Sequence, residues 1–414
     1  MKLVIDSGAK EIIRKIELNG YEAFIVGGCV RDIIMSKTPN DWDITTSALP
    51  EDIINIFEKT IPTGLKHGTV TVLFGSSHYE VTTYRIDGEY VDMRHPEHVE
   101  YSKNIIDDLS RRDFTINAMA YNEEIGLIDK FNGVEDINKR LVRCVGNPDM
   151  RFDEDALRIL RAIRFSAKLN FDIEENTYKS IASKANNLKK VSFERINSEL
   201  EGIIKYSPDR LCILDNIGVS KWLFNGYIFR KDELELSKKI DYIPCEYQES
   251  YAQSAKKAMI FNRMDTESLT KMLKALRYSS KEILYTQKVH SLLINESFDN
   301  ILNEKISYFD LKIEIKNIIS SIGNIDLSKY AIYSKFIIKY KNPSVCFDVF
   351  NDIIDKGEAY LVSHLKINGR DLLENDIACG KKIGYVLEKL LEHIIYNPQD
   401  NKKEILLNLS KKIK

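Results

Sequence analysis

The sequence predicts an α+β chain: a small mixed-sheet head of short strands interleaved with helices, then an all-helical remainder. Three observations carry this. Eleven of the 19 glycines lie at or before Gly146. The same stretch holds the runs FIVGG, DWDITT, TVTVLF and YEVTTYR, rich in the β-branched and aromatic residues that suit a pleated surface. Beyond about residue 150 the apolar spacing turns helical, at i, i+3, i+4, in LTKMLKAL, SKEILYTQKVHSLLI and GYVLEKLLEHII.

Between the strands, KEIIRKIEL and PEDIINIFEK read as helices, with Pro50 at a first helical position and Ser47 as its cap. The segment DYIPCEYQESYAQS interrupts the helical pattern and reads as a linker. At 414 residues, and ~150 residues per domain, two to four domains are expected.

Bulk composition narrows the class. With 43% apolar and 29% charged residues the chain can bury packed cores and stay soluble. No apolar run approaches the ~18 residues of a membrane span. Charges interrupt MKLVIDSGAKEIIRK where a signal peptide needs its apolar stretch, so a cytoplasmic protein is expected. Cys29, Cys144, Cys212, Cys245, Cys346 and Cys379 are scattered without a CxxC, which argues against zinc and disulfides. A net charge of −2 excludes a polycation but leaves room for a local basic surface.

The first chemical signal is FIVGGCVRD followed by NDWDITTS. Asp41 and Asp43 are two apart, and in a strand such side chains share a face. Paired carboxylates suit a hard cation such as Mg2+. The bland alternative is an acidic strand end, and a sugar-nucleotide glycosyltransferase would show the same DxD. Upstream, Gly27 and Gly28 end one strand and open a helix, where bare backbone N–H groups can cradle phosphate. Arg31 can reach the same anion. A phosphate cradle beside a metal pair describes a nucleoside triphosphate site. Glu80, in YEVTTYR, is either a third catalytic carboxylate or half of a cross-strand salt bridge.

In RRDFTINAMAY, Arg111, Arg112 and Asp113 precede a short apolar run; the pair either contacts substrate or forms a capping cluster. RFDEDALRILRAIRFSAKL, placed on one helix, gives an apolar stripe of Ala156, Leu160, Ile163 and Ala167. Asp155, Arg158, Arg161 and Arg164 fan around the rest. They form either a solvated face or a base-reading edge. Asp155 accepts from an exocyclic amine and Arg158 donates to a ring nitrogen. That polarity admits cytosine and adenine and leaves polar groups unpaired against uracil and guanine, at roughly 1–3 kcal/mol per mispaired contact.

With VGGCVRD, DWDITTS, KHGTV, EVTTYR, DGEYVDMRHPEHVEY, DLSRRDFTINAMA, RFDEDALRILRAIRF, VSFERINSEL and LKINGRDLL, the chain resembles the class II tRNA nucleotidyltransferases. These are the bacterial CCA-adding enzymes and their poly(A) polymerase relatives. The resemblance implies a nucleotidyltransferase head over 1–145 and a helical neck over 146–215 that carries the nucleotide-selecting helix. A helical body over 216–350 and a helical, RNA-binding tail over 351–414 would follow. It implies metal binding by Asp41 and Asp43. Gly28, Arg31 and Arg112 would contact the incoming nucleotide, and Asp155 and Arg158, completed by Arg161 and Arg164, would choose between CTP and ATP. The implied reaction is template-independent addition of CCA to the 3′ end of tRNA with release of pyrophosphate, with Mg2+ as cofactor and the tRNA acceptor arm as partner. A-adding enzymes, poly(A) polymerases and a non-enzymatic RNA-binding protein remain alternatives. A full-length loop from Asp87 to Tyr101 disfavours a CC-only enzyme. His67, His78, His95, His98, His290, His364 and His393 lack metal spacing, and without a His-Asp doublet no appended His-Asp hydrolase domain is expected. His67 is expected to support the fold near the nucleotide.

Overall fold

The computed structural model describes residues 3–88, 99–295, 307–339 and 344–413. Its contacts divide the chain into two compact units, Met1–Ile228 and Phe229–Lys414. No helix among the described residues is long and apolar enough to cross a membrane.

In the first unit, α1 (Ser7–Leu18) is capped by Asp6, whose carboxylate accepts from the Gly8 and Ala9 N–H groups. There follow β1 (Ala23–Val26), α2 (Gly28–Ile34), β2 (Asp43–Thr46) and α3 (Pro50–Ile56). Pro50 takes the first helical position as expected. Ser47 does not cap that helix. Its hydroxyl accepts from the Glu22 N–H at 2.9 Å, and Asp52 accepts from the Leu49 N–H at 3.0 Å instead.

Then come β3 (Thr60–Gly64), β4 (Thr69–Phe74), β5 (Ser77–Thr83), β6 (Arg85–Asp87), β7 (Val99–Tyr101), α4 (Ile105–Ser110), β8 (Ala120–Asn122), β9 (Gly126–Ile128), α5 (Gly133–Lys139) and β10 (Leu141–Val142). Seven strands form one mixed sheet in the order β3-β4-β5-β2-β1-β8-β9. Its neighbours are antiparallel except β2 and β5, which run parallel. Phe24 and Val26 of β1 pack with Tyr84, Ile105, Leu109 and Ala120 beneath it. Phe24, Val26, Ile105 and Leu109 each contribute about 1.5–3 kcal/mol by leaving water. The hairpin of β6 and β7 brackets residues 89–98, so the loop-length expectation, with His95 and His98, falls outside the described residues.

The expected single helix over 151–169 is two. α6 (Pro148–Glu154) stops, and α7 (Leu157–Leu169) starts anew. Asp155 between them is extended, at φ −143° and ψ 104°, and its carboxylate accepts from the Leu157 N–H at 3.0 Å. The unit closes with β11 (Asp172–Ile173), α8 (Glu175–Lys184) and α9 (Phe193–Tyr206), followed by short helical turns. β11 pairs with β10, so strand structure reaches past residue 150.

The second unit is helical throughout its described residues. Ala255, Val289, Ile315, Leu327, Tyr330 and Phe350 belong to one core, and Leu372, Val386, Leu390, Ile394 and Leu406 to another. Helix Glu249–Ile260 begins inside the segment expected to be a linker.

Candidate nucleotide-binding and catalytic site

β1 delivers the chain to a turn at Gly27, with φ 81° and ψ −125°. That conformation is open to glycine and costs other residues about 1–3 kcal/mol. A Cβ there would also stand 2.9 Å from Arg112 Nη1, whereas one on Gly28 would meet nothing nearer than Arg31 Nη2 at 3.7 Å. The backbone therefore demands the first glycine and leaves room for a small side chain at the second. Gly27→Ala is expected to weaken CTP and ATP binding about tenfold or more, and Gly28→Ala by under about threefold, in calorimetric titrations. Equal effects would show that the turn geometry is not what matters.

Asp43 opens β2, and Asp41 lies just before that strand rather than in it. The two nevertheless line one cavity of about 500 Å3 together with Gly27, Gly28, Arg31, Arg112, Arg161 and Arg164. Desolvation inside the cavity pushes the Asp43 carboxyl up; Arg112 opposes this, while Glu80 and Asp41 add to it. Cys29 also lines the cavity, but burial and Asp43 push its thiol up to about 11, so it is no thiolate at neutral pH.

The cations are held by partners that sequence reasoning did not assign. Arg31, 3% exposed, donates through Nη1 to Asn117 at 2.6 Å and through Nε and Nη2 to Asp32 at 2.9 and 2.7 Å. Its guanidinium lies 5.5 Å from the Phe165 ring. Arg112 is tied at 3.1 Å to Asp108, a carboxylate with no exposure that also accepts from Arg111 at 2.9 and 2.7 Å. The Arg112 Nε is buried without a hydrogen-bond partner. Buried Asp113 accepts from Arg161 at 2.9 and 2.6 Å, and from Asn117 and the Phe114 N–H. Burial pushes the Asp113 carboxyl up, but Arg161 and Asn117 more than offset it and hold it below the ordinary range. Arg164 pairs with Glu199 of α9 and covers the Phe165 ring at 4.7 Å. It passes Gly202 so closely that a Cβ there would fall 2.3 Å from its Cδ. Lys168 completes the basic wall.

Four residues singled out in the sequence stand outside the arginine-lined cavity. Glu80 lies beside Asp43 in the parallel register of β2 and β5 and lines an adjoining cavity that shares Asp41 and Asp43. Neither cavity includes Asp155 or Arg158. Each has a partner of its own: Asp155 accepts from Arg195 of α9 at 2.7 Å, and Arg158, 8% exposed, pairs with Glu154. Exposed His67 also lies outside both cavities; its carbonyl accepts from Arg85.

Among the described residues no group of three or more His, Cys, Asp and Glu side chains is arranged to hold a metal. Asp41 and Asp43 offer two carboxylates on one wall. That set fits Mg2+, which commonly takes one or two carboxylates and completes its shell with water and substrate phosphate. It does not fit an all-protein cage. The unpaired Arg112 Nε beside these aspartates is a donor suited to an anion.

Comparison with known proteins gives the family. Residues 23–143 match the family described as Poly A polymerase head domain, and residues 170–224 match the probable RNA and SrmB-binding site of polymerase A. The CCA-adding enzyme of Lactobacillus helveticus is 32% identical over 396 residues, covering 95% of this chain and 94% of that enzyme. That of Staphylococcus epidermidis is 47% identical over 196 residues, 47% of this chain and 49% of its own. The crystal structure of the Bacillus stearothermophilus CCA-adding enzyme in complex with CTP superposes with a TM-score of 0.78 at 27% identity, covering 98% of this chain and 96% of that one. The Thermotoga maritima enzyme complexed with tRNA shares the fold, with a TM-score of 0.69 at 22% identity, 99% of this chain and 97% of that one. With near-full-length identity above 30% to enzymes of that name, the chain belongs to the family of CCA-adding enzymes, the tRNA nucleotidyltransferases.

Proposed function

We propose that this protein adds CCA to the 3′ end of tRNA without a nucleic-acid template, drawing on CTP and ATP and releasing pyrophosphate. The observation that carries the reading is the shared wall of Asp41 and Asp43 in a cavity ringed by Arg31, Arg112, Arg161, Arg164 and Lys168. The CTP-bound Bacillus stearothermophilus relative supports CTP as a substrate.

The roles follow from the chemistry. The Gly27 N–H is already given to the Met119 carbonyl at 3.1 Å, so Gly27 serves the turn, and Gly28, at the start of α2, offers its backbone N–H to the triphosphate. Arg112, held over that turn by Asp108, donates to phosphate or ribose. Arg31, already paired with Asp32 and Asn117, contributes its charge and stiffens the wall. Asp41 and Asp43 would hold a divalent cation, and we take it to be Mg2+. When bound, it supplies neutralisation of the triphosphate and of the departing pyrophosphate, and it acidifies the attacking hydroxyl. The 3′-hydroxyl oxygen gives its proton to solvent and bonds to the α-phosphorus, as the bond from that phosphorus to the α–β bridging oxygen breaks and pyrophosphate leaves with that oxygen. Positioning and charge are what the side chains supply. Glu80, beside Asp43, is the third carboxylate of this proposal. We assign base selection to Asp155 and Arg158, completed by Arg161 and Arg164, which requires that Asp155 exchange Arg195 for a base. The head, neck, body and tail described above remain our division of the chain, with the tRNA acceptor arm reaching the helical parts and the reaction taking place in the cytoplasm.

Labelled CTP and ATP, supplied separately and together to tRNA transcripts that lack CCA, test the reading. Two C and one A added in order support it. ATP incorporation only after CC is present would make this an A-adding enzyme, and long tails on oligo(A) would make it a poly(A) polymerase. No incorporation with Mg2+ present would overturn the reading. Asp155→Ala is expected to relax the choice among nucleotides by roughly tenfold, measured as incorporation of UTP against CTP. Unchanged selectivity at normal activity would remove Asp155 from base selection.

A further inference from the structure

The two aspartates line a second cavity, of about 540 Å3, which shares Asn40, Asp41 and Asp43 with the first and no other residue. Its volume falls within the range of about 300–1,000 Å3 typical of small-molecule sites. The two lining sets differ sharply in charge. The first holds four arginines and a lysine; the second holds neither residue type, and beside the shared aspartates it carries Asp6 and Glu80 with Ser77 and His78. The basic lining of the first suits a triphosphate, and the carboxylates of the second disfavour one. The second suits the uncharged edge of a nucleoside.

Phosphoryl transfer requires the attacking and leaving oxygens to lie roughly in line across the phosphorus. If the pyrophosphate departs into the arginine-lined cavity, the attacking hydroxyl must come to the aspartates from elsewhere, and the second cavity opens onto the same two carboxylates. It also holds an indole: Trp42, between Asp41 and Asp43 in sequence, lines the second cavity and not the first.

We infer that the second cavity receives the 3′-terminal nucleoside of the RNA acceptor, with Trp42 as the surface on which its base stacks. This rests on the proposed nucleotidyl transfer and assigns its second substrate. The acceptor end changes during CCA addition: the base next to the growing bond belongs first to the immature tRNA and then to each added C. A subsite that hydrogen-bonded one base would stall the sequence. Stacking is tolerant of base identity because every base presents a π-face. Trp42 is therefore a positioning residue for the acceptor, and base choice is left to the residues assigned to it above, none of which lines this cavity.

The chain has two tryptophans, so Trp222→Phe leaves Trp42 as the sole indole reporter. A short RNA hairpin ending in CC, added without nucleotide, is expected to quench its fluorescence, and CTP alone is expected to leave it nearly unchanged. In steady-state assays Trp42→Ala is expected to raise KM for tRNA roughly tenfold with KM for CTP within about twofold, and Trp42→Phe to restore most of the loss. Quenching by CTP but not by the hairpin would overturn the assignment, as would a rise in KM for CTP with KM for tRNA unchanged. Wild-type protein that adds no nucleotide would instead sink the proposed function, so the two failures are distinguishable.

Discussion

Asp41→Ala is expected to lower CTP incorporation by about 1,000-fold or more while tRNA affinity stays within about twofold. A metal acting on a phosphoryl group contributes several kcal/mol, and each 1.36 kcal/mol is about tenfold in rate. Asp41 is exposed and precedes β2, so its truncation removes a ligand without opening a core. Asp43→Asn should match it in rate, since the amide keeps the shape of the carboxylate and loses its charge. Single-turnover incorporation at saturating CTP reports the chemical step, and filter binding reports tRNA affinity. If tRNA affinity fell as far as the rate, the aspartates would be part of an RNA-binding surface and not a metal site.

The largest stability effect is expected at Asp108. It accepts from both Arg111 and Arg112 and, at 3.3 Å, from the Thr45 hydroxyl, with no exposure to water. Removing one partner of a buried ion pair costs about 3–5 kcal/mol. The two arginines keep some contact with solvent, so Asp108→Asn should fall near the lower end, about 3 kcal/mol by urea denaturation. The same change frees Arg112 above Gly27 and should raise KM for CTP and ATP together. The pH dependence has a definite sign. Burial pushes the Asp108 carboxyl up, but Arg112 and Arg111 more than offset it and hold it below its ordinary 3.8. A carboxyl so depressed contributes stability that is complete above its unfolded value and lost as pH falls through its folded one. Wild type should therefore lose stability below about pH 4 more steeply than Asp108→Asn does. Parallel acid limbs would show that the ion pairs are not what Asp108 contributes.

What was legible in the sequence is what local spacing encodes. DWDITT and YEVTTYR alternate as strands, and they do lie side by side, with Asp43 and Glu80 in register. The glycines of VGGCVRD mark a turn between strand and helix, and that turn is present at Gly27. The supports of the site were less legible. Asp108 had a local signal that went unused, since DDLSRR sets it three and four residues before its arginines on a helix. Asp113 had none, because its partner Arg161 lies 48 residues on. Nothing in the spacing around Gly202 marks it; the close passage of Arg164 is visible only once α7 and α9 pack. The break at Asp155 was hidden by an apolar rhythm that runs through both helices. Aspartate favours exactly such helix starts, but its side chain can serve as a cap only where the backbone leaves the helix. The second unit showed its helices without its purpose, because residues 229–414 bury apolar faces in a pattern that many functions share.

The tie between Asp155 and Arg195 has a consequence for fidelity. Under the proposed assignment of Asp155 to base selection, each incoming base competes with a guanidinium already in place. Selection then follows the difference between two exchanges, not the strength of either contact. A base that returns less than Arg195 gave up leaves the carboxylate where it was, and rejection becomes the resting condition of the protein. Accuracy on this reading is set as much by α9, which holds the competitor, as by the helix that carries the selecting pair.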